Sequence, residues 1–140
     1  MRIFKSLLVA LIGLTALMYA LQNVVNIGEM RDQIGVGAGP SWAGFALMTL
    51  LEFAIAAVAL KGASDLFAAR NGSADEFKQA KTVAVWAGGL SLLSWFALSL
   101  MIGSGIFQWG TESGAIALTR TFQLGSTSAL TILFVWGTTD

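Results

Sequence analysis

The chain contains no cysteine, no histidine and a single proline, and only 11% of its 140 residues are charged. Without cysteine there is no disulfide, no thiolate metal site and no thiol nucleophile. Without histidine there is no His-ligated haem and no imidazole acid–base catalysis. Eight basic residues cancel eight acidic ones, so the chain offers no basic face to nucleic acid and no acidic tail to a basic partner. Soluble domains carry about 25% charged residues. This chain is instead 56% hydrophobic, with a mean hydropathy of +0.74. Its length allows one compact unit, and its composition is that of an integral membrane protein.

Four apolar stretches approach the roughly 20 residues that a helix needs to cross a bilayer. They cover about 3–21, 42–60, 82–102 and 115–136. A transmembrane β-barrel would show two-residue alternation in short strands, and these runs show none. The first stretch, behind Arg2 and Lys5, also has the layout of a signal peptide. Its apolar run exceeds the roughly 7–15 residues of such a core, and no clean small-x-small cleavage site follows, so it reads as a retained span. The expected fold is therefore all-α: a four-transmembrane-helix bundle forming a single membrane domain over 1–140.

Basic residues set the expected orientation. Arg2, Lys5, Lys61, Arg70, Lys78 and Lys81 fall on one side of a four-span arrangement, leaving Arg31 and Arg120 elsewhere. Both termini and the middle loop are thus expected in the cytoplasm, with the loops near 23–40 and 103–114 outside. Tyr19, Trp42 and Trp109 would mark the outer boundary, and Trp86 and Trp136 the inner one. A multi-pass protein of a bacterial inner membrane follows as the expected location.

The segment Arg70-Asn71-Gly72-Ser73-Ala74-Asp75-Glu76 predicts a tight cytoplasmic hairpin extending spans two and three. Asn71-Gly72 reads as a helix stop with a left-handed residue, and Ser73 with Glu76 as a capping box. In the outer loop, Gly35, Gly37, Gly39 and Pro40 break helix. The glycines lack the Lys-Ser/Thr ending and the strand–helix setting of a phosphate loop. No internal repeat points to an inverted-repeat transporter.

Polar residues inside the spans are the candidates for function, because an ionisable group at mid-membrane costs at least about 2.5–3.5 kcal/mol. Glu52 sits near the middle of span two, on a face shared with Thr49, Ala56, Ala59 and Ala63. In span four, Arg120, Gln123, Thr127 and Thr131 recur at helical spacing as a polar stripe. Glu52 and Arg120 differ in depth by about 6 Å at the helical rise, so an intramembrane pair is feasible. Such a pair would fix helix register, hold a headgroup or proton, or contact another subunit. Small residues mark candidate packing or partner faces: Ala84, Gly88, Ser91, Ser99 and Gly103 around Trp95 in span three, and Thr121, Gly125 and Ala129 in span four. One membrane carboxylate is too few for a proton relay, and no nucleophile–base pair stands in the spans. The chain is therefore expected not to be an enzyme and to hold no cofactor of its own. Lipid, quinone or pigment contact remains open for the groove around Trp95.

Several of these features together resemble a bacterial family of small four-helix integral membrane proteins of unknown function. They are the basic N-terminus, Glu52, Gly62-Ala63 with Ala69-Arg70, Phe77-Lys78-Gln79-Ala80-Lys81, Trp95-Phe96 and Arg120. The resemblance spans nearly the whole chain. It departs at Gly103-Ser104-Gly105-Ile106-Phe107-Gln108-Trp109, where the family tends to be acidic and aromatic-rich. The resemblance implies a four-helix bundle and no established activity. The functional expectation is a non-catalytic accessory or assembly subunit of an energy-transducing complex in the bacterial inner membrane. Its partners would be membrane lipids and other integral subunits. One specific version is a subunit that interrupts the antenna ring of a photosynthetic reaction centre and leaves a quinone path; respiration is the other setting. The competing expectation is a stand-alone carrier or channel built on a Glu52/Arg120 polar interior.

Overall fold

The computed structural model describes residues 1–29, 39–98 and 112–139, and among them the regular structure is helical, with no strand. Four long helices result: α1 (Arg2–Val25), α2 (Gly39–Ala68), α3 (Ala74–Ser91) and α4 (Glu112–Gly137). A 3-10 turn, Ala69–Asn71, closes α2, and α3 widens into a π-helical segment, Leu92–Leu98. Each helix packs on the next in chain order, and α4 returns to touch α1.

Two of these helices, α1 and the stretch Trp42–Asn71, are long and apolar enough to cross a membrane by length and composition. The other two, over their described residues, are less apolar. α3 opens on Ala74-Asp75-Glu76-Phe77-Lys78, so its apolar part begins well inside the helix. α4 carries Arg120 and Gln123 among several hydroxyl residues.

The core mixes large side chains such as Ile55, Leu66, Phe77 and Trp95 with many alanines, while many leucines lie on the outside. Ala16, Ala20, Ala56, Ala59, Ala84 and Ala87 are buried, whereas Leu7, Leu11, Leu14, Met18, Leu50 and Leu133 are exposed. Small side chains let backbones approach closely. A Cβ added at Gly62 would lie 2.8 Å from the Ala84 backbone nitrogen, and one at Gly88 would lie 2.2 Å from Ile132. In water the reverse distribution is the rule. In a bilayer, close packing rather than apolar burial holds helices together.

The hairpin between α2 and α3 forms with the expected capping box. The Ser73 hydroxyl accepts the Glu76 N–H at 3.2 Å, and the Glu76 carboxylate accepts the Ser73 N–H at 2.7 Å. Its helix stop differs from expectation. Gly72 is extended, at φ −78° and ψ −178°, rather than left-handed. A Cβ there would meet the Glu76 carboxylate at 2.4 Å, so a larger residue would push that flexible side chain out of its capping position.

Candidate functional site

Glu52 is buried on α2, and the helix that satisfies it is α1. Asn23, in the last turn of α1, donates from its side-chain nitrogen to the Glu52 carboxylate at 2.8 Å and to the Thr49 hydroxyl at 3.3 Å. Thr49 in turn donates to the Phe45 carbonyl at 2.9 Å. This back-bond uses the Thr49 proton, so its oxygen faces Asn23 as an acceptor. From the π-helical segment after α3, the buried indole of Trp95 comes near the same carboxyl group without making a hydrogen bond. Three helices therefore meet at one carboxyl group, with an amide as its main donor and an indole in reserve.

Asn23 lies just past the predicted end of span one. The signal that reaches it is periodicity. The buried face of α1 runs through Lys5, Val9, Ile12, Ala16 and Ala20, and the next step of three lands on Asn23.

The pair expected between Glu52 and Arg120 is not formed among the described residues. Arg120 is exposed on α4, as are Gln123 and Thr127, while Thr121, Ala129 and Thr131 are half-buried. The face that α4 turns inward carries Gly125, Ser128 and Val135. Apolar contact with α3 and its π-helical extension, through Ile132 on Gly88 and Phe96 on Gly125, sets that rotation.

The small-residue face of α3 packs inside the molecule. Ala84, Gly88, Ser91 and Trp95 are all buried, with Ala84 against Gly62 and Gly88 against Ile132. Ser91 returns its hydroxyl proton to the Ala87 carbonyl at 2.9 Å. Ser99 and Gly103 lie outside the described residues.

A second polar cluster occupies the opposite end of the helices. Arg2 donates to the Gly72 carbonyl at 2.7 Å and to the Arg70 carbonyl at 3.3 Å, tying α1 to the hairpin. Lys5 is fully buried and donates to the Thr138 carbonyl at 2.8 Å. This places a cation at the C-terminal end of α4, where the helix dipole favours it. Three cations surround the Phe77 ring: Arg2 at 4.8 Å, Lys81 at 5.7 Å and Lys5 at 5.9 Å from its centroid. Each distance lies within the range of cation–π attraction. Sequence counting placed these basic residues on one side; the aromatic ring that gathers them was not anticipated.

Among the described residues no group of acidic side chains could hold a metal ion. The Glu52 cluster can fix the register of three helices or hold a proton. The basic cluster can fix the termini against the hairpin.

A family model described as predicted small integral membrane protein (DUF2165) matches residues 41–136. No curated protein matches the chain, and neither does any solved structure.

Proposed function

The chain belongs to this family of small integral membrane proteins of unknown function, and from that premise we propose a four-span, non-catalytic accessory or assembly subunit of a bacterial inner-membrane complex. Both termini and the α2–α3 hairpin lie in the cytoplasm in this reading. The observation that carries it is the apolar exterior, with leucines, methionines and aromatic rings exposed along α1, α2 and α4 while alanines and glycines line the helix contacts. Such a surface needs lipid or the helices of other subunits around it.

Close approaches at Gly13–Leu60, Gly62–Ala84 and Gly88–Ile132 favour a packing module over a carrier, because they fill the space that a permeation path would need. The Glu52 cluster supports the same reading. Its carboxyl group is held by Asn23 of α1 and faces no second membrane carboxylate among the described residues.

Topology and partnership are tested together. A cysteine at Gln79 should react with a membrane-impermeant maleimide only from the cytoplasmic face, and one at Gly28 only from outside. In mild detergent the chain should co-purify with other integral subunits. Deletion should loosen that assembly, respiratory or photosynthetic, without removing its redox centres. Migration as a lone 14.7 kDa chain, with every neighbouring complex unchanged on deletion, would overturn the proposal in favour of a stand-alone carrier.

A further inference from the structure

The polar junction at Glu52 fixes where a proton can sit. Asn23 spends both side-chain amide protons, one on Oε2 of Glu52 at 2.8 Å and one on the Thr49 hydroxyl oxygen at 3.3 Å. Thr49 has given its own proton to the Phe45 carbonyl. Asn23 therefore cannot turn its amide oxygen inward without losing both bonds. Oε2 stays an acceptor in either state of Glu52, and a bound proton goes to Oε1. The indole N–H of Trp95, buried without a partner, lies near this carboxyl group. It can only donate. An ionised carboxylate attracts it as a charge-assisted bond, about twice as strong as a neutral one. A protonated carboxyl has lost that charge and sets a second donor beside the first.

We propose that the π-helical segment Leu92–Leu98 is a proton-linked switch: ionised Glu52 draws the Trp95 indole into a hydrogen bond, and protonated Glu52 releases it. The segment carries the indole, and π turns set into α-helices recur at functional sites. The movement reaches α4 through the next residue. Phe96 lies over Gly125, where an added Cβ would be 3.4 Å from the Phe96 Cβ, and its ring centroid is 6.3 Å from that of Phe122. Phe122 is exposed, so a proton taken up inside the molecule alters the face that α4 presents to its surroundings.

Among the described residues no second titratable group bonds to Glu52. On α1, Tyr19 is half-buried, while Arg2 and Lys5 are held at the opposite end. Past α1, Glu29 is exposed. On α2, Lys61 and Asp65 pair with each other. The charged residues of α3 all fall between Asp75 and Lys81, at the hairpin end, and Arg120 of α4 is exposed. The switch is therefore set by Glu52 alone.

Solution NMR of the full chain in a non-ionic detergent reads it directly. The chain has five tryptophans, so indole signals are few, and that of Trp95 is the one lost in Trp95→Phe. As pH rises the Trp95 signal should move downfield, with the Asn23 side-chain amide and the Gly125 backbone amide moving at the same midpoint. In Glu52→Gln all three should stay fixed. Labelling the glutamate carboxyl carbons gives a second readout on the unaltered chain, in which the Glu52 carbon should share that midpoint. A Trp95 signal that stays fixed wherever the protein is folded, or that titrates equally in Glu52→Gln, would overturn the switch. So would a midpoint that differs from that of the Glu52 carboxyl carbon. A Gly125 amide that stays fixed while Trp95 moves would overturn the transmission to α4.

Discussion

The two polar clusters of this protein solve opposite problems with opposite means. At the basic end, Arg2 and Lys5 sit among backbone carbonyls and the Phe77 ring, near residues that are exposed to solvent such as Lys78 and Ser73. A cation that loses one partner there has others, and water nearby. At the Glu52 end, one buried carboxyl group depends on Asn23, with Trp95 short of a full bond. The number of charges is greater at the first cluster. The cost of disturbing a single partner should be greater at the second, because a buried polar group without a partner loses its solvation and recovers nothing.

The largest expected effect therefore lies at Asn23. Asn23→Ala leaves Glu52 without its main donor and should destabilise the protein by about 2–3 kcal/mol. It should show as a clear fall in thermal midpoint in detergent. Replacing Glu52 by Gln in the same background should recover part of the loss, since a neutral amide tolerates burial better. A change confined to Arg120 should do little, because that side chain is exposed and makes no bond to Glu52.

Next comes the seam that joins the two ends. Gly88→Ala puts a Cβ where Ile132 now sits, 2.2 Å away. Overpacking of this kind typically costs about 1–3 kcal/mol. Ile132→Ala alone opens a cavity, but combined with Gly88→Ala it should restore much of the stability, and the pair is measured against each single change by thermal unfolding.

The division between what the residues revealed and what they did not follows from the same contrast. The hairpin was legible because Ser73 and Glu76 act over three residues, and the capping geometry is local. The gathering of basic residues was legible because charge is counted without knowing rotation. The partner of Glu52 was not. Depth alone made Arg120 feasible, but rotation about α4 decides whether it faces inward, and rotation is set by contacts such as Ile132 on Gly88 and Phe96 on Gly125. Asn23 lies one step beyond the apolar run of α1, on the continuation of its buried face. Gly72 does end the helix, but in an extended rather than a left-handed conformation.

Smaller effects belong to the basic end. Phe77→Leu keeps most of the apolar volume and the carbonyls that hold Arg2 and Lys5, and loss of the cation–π contacts should cost about 1 kcal/mol in all. Ser73→Ala removes one half of the capping box and should cost about 1 kcal/mol. Lys61→Ala breaks an exposed pair with Asp65 one turn away and should change stability by less than about 0.5 kcal/mol. If Phe77→Leu or Ser73→Ala exceeded Asn23→Ala in the same thermal assay, the contrast between the two clusters would be reversed.

The most direct test is a pair of double-mutant cycles on thermal stability in one detergent, the first joining Asn23→Ala with Glu52→Ala and the second joining Arg120→Ala with Glu52→Ala. An intramolecular hydrogen bond contributes about 1 kcal/mol, so the first cycle should show coupling of that order and the second none beyond about 0.5 kcal/mol. Coupling in the Arg120 cycle and its absence in the Asn23 cycle would contradict the arrangement of Glu52 described above.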